Sequence, residues 1–248
     1  MSETGTGLST ATSTSLGTTP RLFVAAALGA GATVTVEGAQ AHYLATVMRR
    51  QPGDVVRLFN GRDGEWAADV VAVAKRSTSL VARHQSAVQE DVADLWLACA
   101  PLKKGRIDWL AEKACELGVA RLVPVITART VVDRLNRDRL HAHMVEAAEQ
   151  CGRTAVPAIA EPVTLARLLA DWPAGRTLIF ADETGGAVLG PIPAPAAILI
   201  GPEGGFTAEE RAAIRAVPGA HAITLGPRTL RADTAAVAAV AIWQALSG

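Results

Sequence analysis

From Leu95 onward the chain alternates short apolar runs with amphipathic stretches, and this rhythm restricts its possible folds more than any single residue does. Residues 95–100 read as a strand. Residues 106–117 read as a helix whose Ile107, Leu110, Ala111, Ala114 and Leu117 recur at three and four. Gly118 follows as a helix stop. Strands at 121–126, 177–181, 196–200 and 222–225 then alternate with helices at 137–151, 207–217 and 233–246. Such alternation builds an α/β domain around a mostly parallel sheet.

Before Asp91 the pattern is different. Residues 32–37 alternate polar side chains with valine, the period of a half-buried strand. Gly53-Asp54 leads into a strand at 55–59, and Asn60-Gly61 marks a tight turn. Further strands are expected at 66–74 and 79–83, with one short helix at 39–49. These elements predict a small β-barrel at 20–90, a size suited to binding rather than chemistry. Asp91–Asp94 reads as a linker to an α/β domain at 91–248. Residues 1–19, rich in Ser, Thr and Gly, are expected to be a disordered tail.

Half of the 248 residues are hydrophobic and few are aromatic, so the core must be built mainly from Ala, Val, Leu and Ile. Lys plus Arg and Asp plus Glu both number 24, so any polyanion must be met by local clustering rather than by overall charge. Cys99, Cys115 and Cys151 fit neither a disulfide framework nor a zinc site and suit a reducing cytoplasm. The histidines show no metal spacing, and no apolar run has the roughly 20 residues that cross a bilayer.

Two strand-to-helix junctions carry the chemistry. In Ile200-Gly-Pro-Glu-Gly-Gly-Phe-Thr207 a buried strand runs into glycines that let the backbone approach a ligand closely, and Thr207 with Glu210 makes a capping box. Open α/β sheets bind ligands at such carboxyl ends of strands, although a tight turn with a good cap reads the same way. The Lys and Ser/Thr of a phosphate-binding P-loop are absent. In Leu225-Gly-Pro-Arg-Thr-Leu-Arg231-Ala-Asp-Thr-Ala235, Arg228 and Arg231 can hold an anion, and Asp233 stands where an N-cap or a base would.

These two segments, in this order, resemble the RsmE-type methyltransferases of the SPOUT superfamily. Lys103-Lys104-Gly-Arg106, Glu112-Lys113-Ala-Cys-Glu-Leu-Gly118 and Glu146-Ala-Ala-Glu-Gln-Cys-Gly-Arg153 are similar to that family's other motifs. Arg21-Leu-Phe-Val24, His42 and Met48-Arg49 before Gly53-Asp54 resemble its PUA-like RNA-binding barrel. The family usually has Glu where Asp233 stands, and often Glu at the place of Ala128.

The resemblance implies a trefoil-knotted α/β domain and methylation of N3 of a uridine in 16S ribosomal RNA from S-adenosylmethionine. It implies that Gly201, Glu203, Gly204, Gly205, Leu225, Gly226, Arg228, Thr229 and Leu230 hold the cofactor. Asp233 or Glu203 would be the base, and Arg231 or Arg228 the cation facing the uracil. Arg21, Arg49, Lys103, Lys104, Arg106, Arg129 and Arg153 would contact RNA, and the protein would be a cytoplasmic homodimer without metal. Two alternatives stay open: a superfamily member acting on a ribose hydroxyl or a transfer RNA base, and a non-catalytic ribosomal assembly factor.

Overall fold

In the computed structural model, which describes residues 19–103, 105–132 and 134–247, the chain divides into two units. Described residues up to Phe59, with Glu65–Ser86, form one; Asn60–Gly64 and the residues from Ala87 onward form the other. The tail expected at 1–19 lies outside the described residues except for Thr19, and Lys104 lies outside them too.

In the first unit the period-two pattern works as expected. Val34 and Val36 of β2 (Thr33–Glu37) are buried, while Thr33, Thr35 and Glu37 are exposed. β1 (Arg21–Phe23) runs parallel to β3 (Val55–Phe59), which pairs antiparallel with β4 (Glu65–Val73). With β5 (Ser77–Ala87) the described residues make a five-stranded sheet in the order β1-β3-β4-β5-β2. Leu22, Val36, Leu44, Val56, Leu58 and Leu80 pack as its core. The single helix expected at 39–49 is instead α1 (Gly38–His42) continued by a π-helical turn, Tyr43–Val47. The turn widens because the Met48 amide reaches back five residues to the Tyr43 carbonyl, 2.9 Å away.

Arg21 was expected on an RNA-binding surface, and here the structure corrects the sequence reading. Its side chain is buried, its Nε donates to Glu65 Oε2 at 2.5 Å, and its guanidinium lies 4.6 Å from the Phe59 ring centroid. A guanidinium so committed ties β1 to β4.

The second unit is built on β12 (Ala196–Ile200), all five of whose residues are buried. It lies between β10 (Thr177–Ala181) and β6 (Leu95–Cys99), pairing in parallel with both. β7 (Arg121–Ile126) adds beyond β6, and β13 (His221–Thr224) beyond β10. The short strands β8 (Ala158–Ile159), β9 (Val163–Thr164) and β11 (Ala187–Val188) complete the described sheet, and every recorded pairing in it is parallel. Two-residue strands carry no periodic signal, which is why these three were not expected.

Helices cover both faces, as an all-parallel sheet requires. On one side Ala98, Val123, Phe180 and Leu199 pack with Phe206, with Leu165 and Leu168 of α4 (Leu165–Ala170) and with Ile214 of α5 (Ala208–Arg215). On the other, α6 (Ala232–Ser247) packs on β12 and β6, with Trp243 fully buried. α2 (Arg106–Glu116) packs on α6 and on α3 (Arg137–Cys151). Gly118 ends α2 with φ of +80°, and a Cβ there would come within 2.6 Å of Gln244 Nε2, whose amide donates to Leu117 O. The stop read from sequence is therefore also a helix–helix contact. Among the described residues no helix is long and apolar enough to cross a membrane.

Arg153 is the second correction. It was expected at the RNA, but it is buried, donating from Nη1 to Cys115 O at 2.6 Å and from Nε to Glu90 Oε1 at 3.0 Å. It adds a charged donor at the buried carbonyl end of α2, where Cys115 O also accepts from the Gly118 amide at 3.0 Å, and it reaches Val119 O at 3.3 Å. Arg153→Ala is expected to lower stability by about 2–4 kcal/mol in urea unfolding, the scale for losing charged hydrogen bonds of this kind. RNA affinity of the folded fraction should be unchanged; the opposite pattern would return Arg153 to the RNA surface.

Candidate cofactor and active site

Parallel strands end on one side of the sheet, and three of those ends meet here. The loops after β10, β12 and β13 wall a cavity of about 430 Å³, within the range of roughly 300–1,000 Å³ typical of small-molecule pockets. Gly201, Glu203, Gly204 and Gly205 form one side of the wall; Leu225, Gly226, Arg228, Thr229 and Leu230 form another. Arg231 also lines it. The residues singled out in two separate sequence motifs thus face one space.

The loop after β12 is held from several directions. The Gly205 amide donates to Pro202 O at 2.9 Å, closing a turn. Thr207 caps α5, with its own amide donating to Glu210 Oε2 at 2.9 Å and its hydroxyl accepting from the Glu210 amide at 3.2 Å. The other oxygen of Glu210 accepts from the Ala128 amide at 2.7 Å. Arg129 Nη1 donates to Gly204 O at 2.5 Å, so a residue expected at the RNA braces the loop after β12. Ala128, where the family often has Glu, contributes through its backbone, which any residue could supply.

The glycines have particular reasons. Gly205 has φ of +67°, and a Cβ on it would lie 2.2 Å from Glu183 Oε1. At Gly201 a Cβ would come within 3.1 Å of the Phe206 ring. At both positions a side chain would collide with the packing of the loop itself, with Phe206 at Gly201 and with Glu183 at Gly205.

The third wall was not anticipated from the sequence. Ala181, Asp182 and Glu183 follow β10 and line the cavity. Asp182 has a buried carboxylate that accepts from Arg215 Nη2 at 2.6 Å and from the Thr184 hydroxyl at 2.7 Å. Burial alone would raise its pKa, but the Thr184 and Arg215 hydrogen bonds outweigh that and hold it below the usual carboxylate value. Glu183 pairs with Arg211. The available signal was a buried strand ending in Asp-Glu-Thr-Gly-Gly, the same strand-to-glycine grammar as at Gly201.

Asp233 was expected at the N-cap, and the structure places it differently. α6 already runs from Ala232, because the Ala235 amide donates to Arg231 O at 2.8 Å. Asp233 is therefore in the first helical turn, where its negative charge suits the helix dipole. Its Oδ2 lies 3.9 Å from Arg106 Nε, and Arg106 Nη1 lies 3.4 Å from Glu203 Oε1. The two candidate bases thus share one guanidinium. Among the described residues, Arg228 and Arg231 are exposed and pair with no carboxylate. Lys103, Arg49 and Arg129 are also exposed. The described residues contain no group of three or more His, Cys, Asp or Glu able to hold a metal.

Comparison with known proteins agrees with this geometry. Residues 89–244 match the RNA methyltransferase domain family, and residues 36–81 match the RNA methyltransferase PUA domain family. Ribosomal RNA small subunit methyltransferase E of Rickettsia conorii is 31% identical over 207 residues, covering 81% of this chain and 84% of that protein. The protein of the same name from Synechocystis is 31% identical, covering 91% and 77%. The crystal structure of the Neisseria gonorrhoeae protein of that name, bound to S-adenosylmethionine, superposes with a TM-score of 0.84 at 28% identity, covering 93% of this chain and 98% of that one. With its α/β domain, its preceding PUA domain and both glycine-bearing segments in place, the chain belongs to the ribosomal RNA small subunit methyltransferase E family.

Proposed function

We propose that this protein transfers a methyl group from S-adenosylmethionine to N3 of a uridine in the 16S RNA of the small ribosomal subunit. The observation that carries the reading is the convergence of 201–205 and 225–230 on one cavity. A sheet whose central strand was added late in the chain, with β12 between β10 and β6, also supports the knotted threading implied by the resemblance. The glycines of this loop keep the wall thin: a Cβ at Gly201 or Gly205 would displace Phe206 or Glu183 and with them the wall against which an adenosyl group would lie. The backbone and side chains of Gly201, Glu203–Gly205, Leu225, Gly226, Arg228, Thr229 and Leu230 would hold it.

Once bound, the cofactor supplies a methyl group already made electrophilic by its sulfonium. The residues must then align the uracil and manage one proton. Uracil N3 carries a hydrogen that has to leave before the nitrogen can attack. Asp233 or Glu203 would accept it, and Arg231 or Arg228 would stabilise the uracil anion. A base buried in a duplex cannot reach the cavity, so the uridine must be unpaired or flipped out. Lys103 and Arg129 would hold phosphates near it, Lys104 adjoins Lys103 in sequence, and Arg49 would meet RNA from the first unit.

A homodimer in the cytoplasm is part of this reading. Trp109 of α2 and Ile242 and Leu246 of α6 are exposed apolar side chains on two helices that pack together, a surface suited to a second copy.

The reading is tested by incubating the protein with labelled S-adenosylmethionine and small subunits from cells lacking it, then digesting the RNA to nucleosides. The expected product is 3-methyluridine at a single 16S site. Methyl on a ribose hydroxyl would favour the alternative superfamily activity, and absence of cofactor binding would favour an assembly factor. In a second test, Gly205→Ala should weaken cofactor binding by about tenfold or more in calorimetry, at a folding cost of about 1–2 kcal/mol from its left-handed backbone. Undiminished affinity would remove that loop from the site.

A further inference from the structure

We propose that Arg106 is a positioning residue for methyl transfer, its guanidinium tying the carboxylate of Glu203 in the cofactor loop to that of Asp233 on α6. This rests on the function proposed above. Glu203 and Asp233 belong to separate elements, and Arg106 approaches them from a third, at 3.4 Å and 3.9 Å.

The arginine itself is well anchored. It is the first residue of α2, and its amide donates to Lys103 O at 3.1 Å. Asp108 Oδ2 accepts from the Gly105 amide at 3.2 Å, fixing the turn that enters the helix. Ile107 and Leu110 are buried, so the helix cannot shift without opening the core. The side chain therefore reaches the cavity mouth from a fixed base.

A cation between two carboxylates attracts each of them, and that attraction favours one arrangement of the cofactor loop relative to the start of α6. The guanidinium donates from Nη1 to Glu203 Oε1 at 3.4 Å and stands in ion-pair range of Asp233, with Nε 3.9 Å from Oδ2. A single point charge on a flexible stem would hold the pair less well, because the planar fork sets direction as well as distance. A guanidinium engaged on two sides also differs from the exposed Lys103, Arg49, Arg228 and Arg231, which remain available for RNA. The sequence expectation that Arg106 contacts RNA is thereby replaced by a role inside the site.

The test is a double-mutant cycle. Arg106→Gln is made alone and in the Asp233→Asn and Glu203→Gln backgrounds, with Arg106→Lys as the conservative variant. Methyl transfer to small subunits gives kcat and KM, calorimetry gives cofactor affinity, and thermal unfolding reports folding. Arg106→Gln is expected to lower kcat by about 10- to 100-fold, with the KM for RNA and the cofactor Kd held within about threefold. Arg106→Lys should recover part of the rate. In the background lacking the carboxylate that takes the proton, Arg106→Gln should cost less than about threefold, since a residue acting through another loses its effect with it. A rise in KM for RNA with a weaker salt dependence would instead make Arg106 a phosphate contact. The same loss in every background, or an unchanged kcat, would also overturn the proposal. If the unsubstituted protein transfers no methyl group, the proposed function fails first, an outcome distinct from an active protein indifferent to Arg106.

Discussion

Everything in the second unit is placed by the parallel pairing of β12 with both β10 and β6. A strand paired on both edges and covered on both faces has no room for polar side chains, and Ala196–Ile200 contains none. Its direction sends Gly201 out at the same end of the sheet as the residues that follow β10 and β13. The cavity is a consequence of that shared direction: three loops distant in sequence are delivered to one place because their strands run the same way. Packing of α6 against β12 then carries Arg231 and Asp233 to the same end of the sheet.

Much of this was legible beforehand, for identifiable reasons. Helix α3 and strands β7, β10 and β12 match their expected bounds, because each combines a clear period or apolar run with a cap or turn at its ends. The Thr207–Glu210 box was readable because it depends on two residues at fixed spacing. What could not be read was anything decided by partners far away in sequence. The wall after β10 belongs to the site only because β13 and β12 flank that strand. The start of α6 at Ala232 depends on the Arg231 carbonyl finding the Ala235 amide, a matter of backbone geometry.

The arginines show the same limit most plainly. Composition made them the natural source of a basic surface in a chain with no net charge. In the structure they divide by partner. Arg21 is closed over Phe59 and Glu65, Arg153 caps the end of α2, Arg129 braces Gly204 and Arg106 lies between two carboxylates. A guanidinium carries five donors and keeps its charge at any pH a protein meets, so it serves equally as a structural clamp and as an anion receptor. Only its surroundings distinguish the uses, and those are assembled by the fold.

The position of β13 beside β10 bears on how the protein is made. Synthesis on the ribosome is vectorial, and residues 221–247 emerge after β6, β7, β10 and β12, the strands they complete. Until then β10 has an open edge on the side that β13 will occupy, and the sheet face beneath α6 lacks its cover. An open strand edge and a bare apolar face are the features that recruit chaperones or neighbouring nascent chains. The segment that supplies Arg228 and Arg231 is thus also the one that seals the sheet, so a chain in which the cavity has formed is by construction one whose β10 edge is closed.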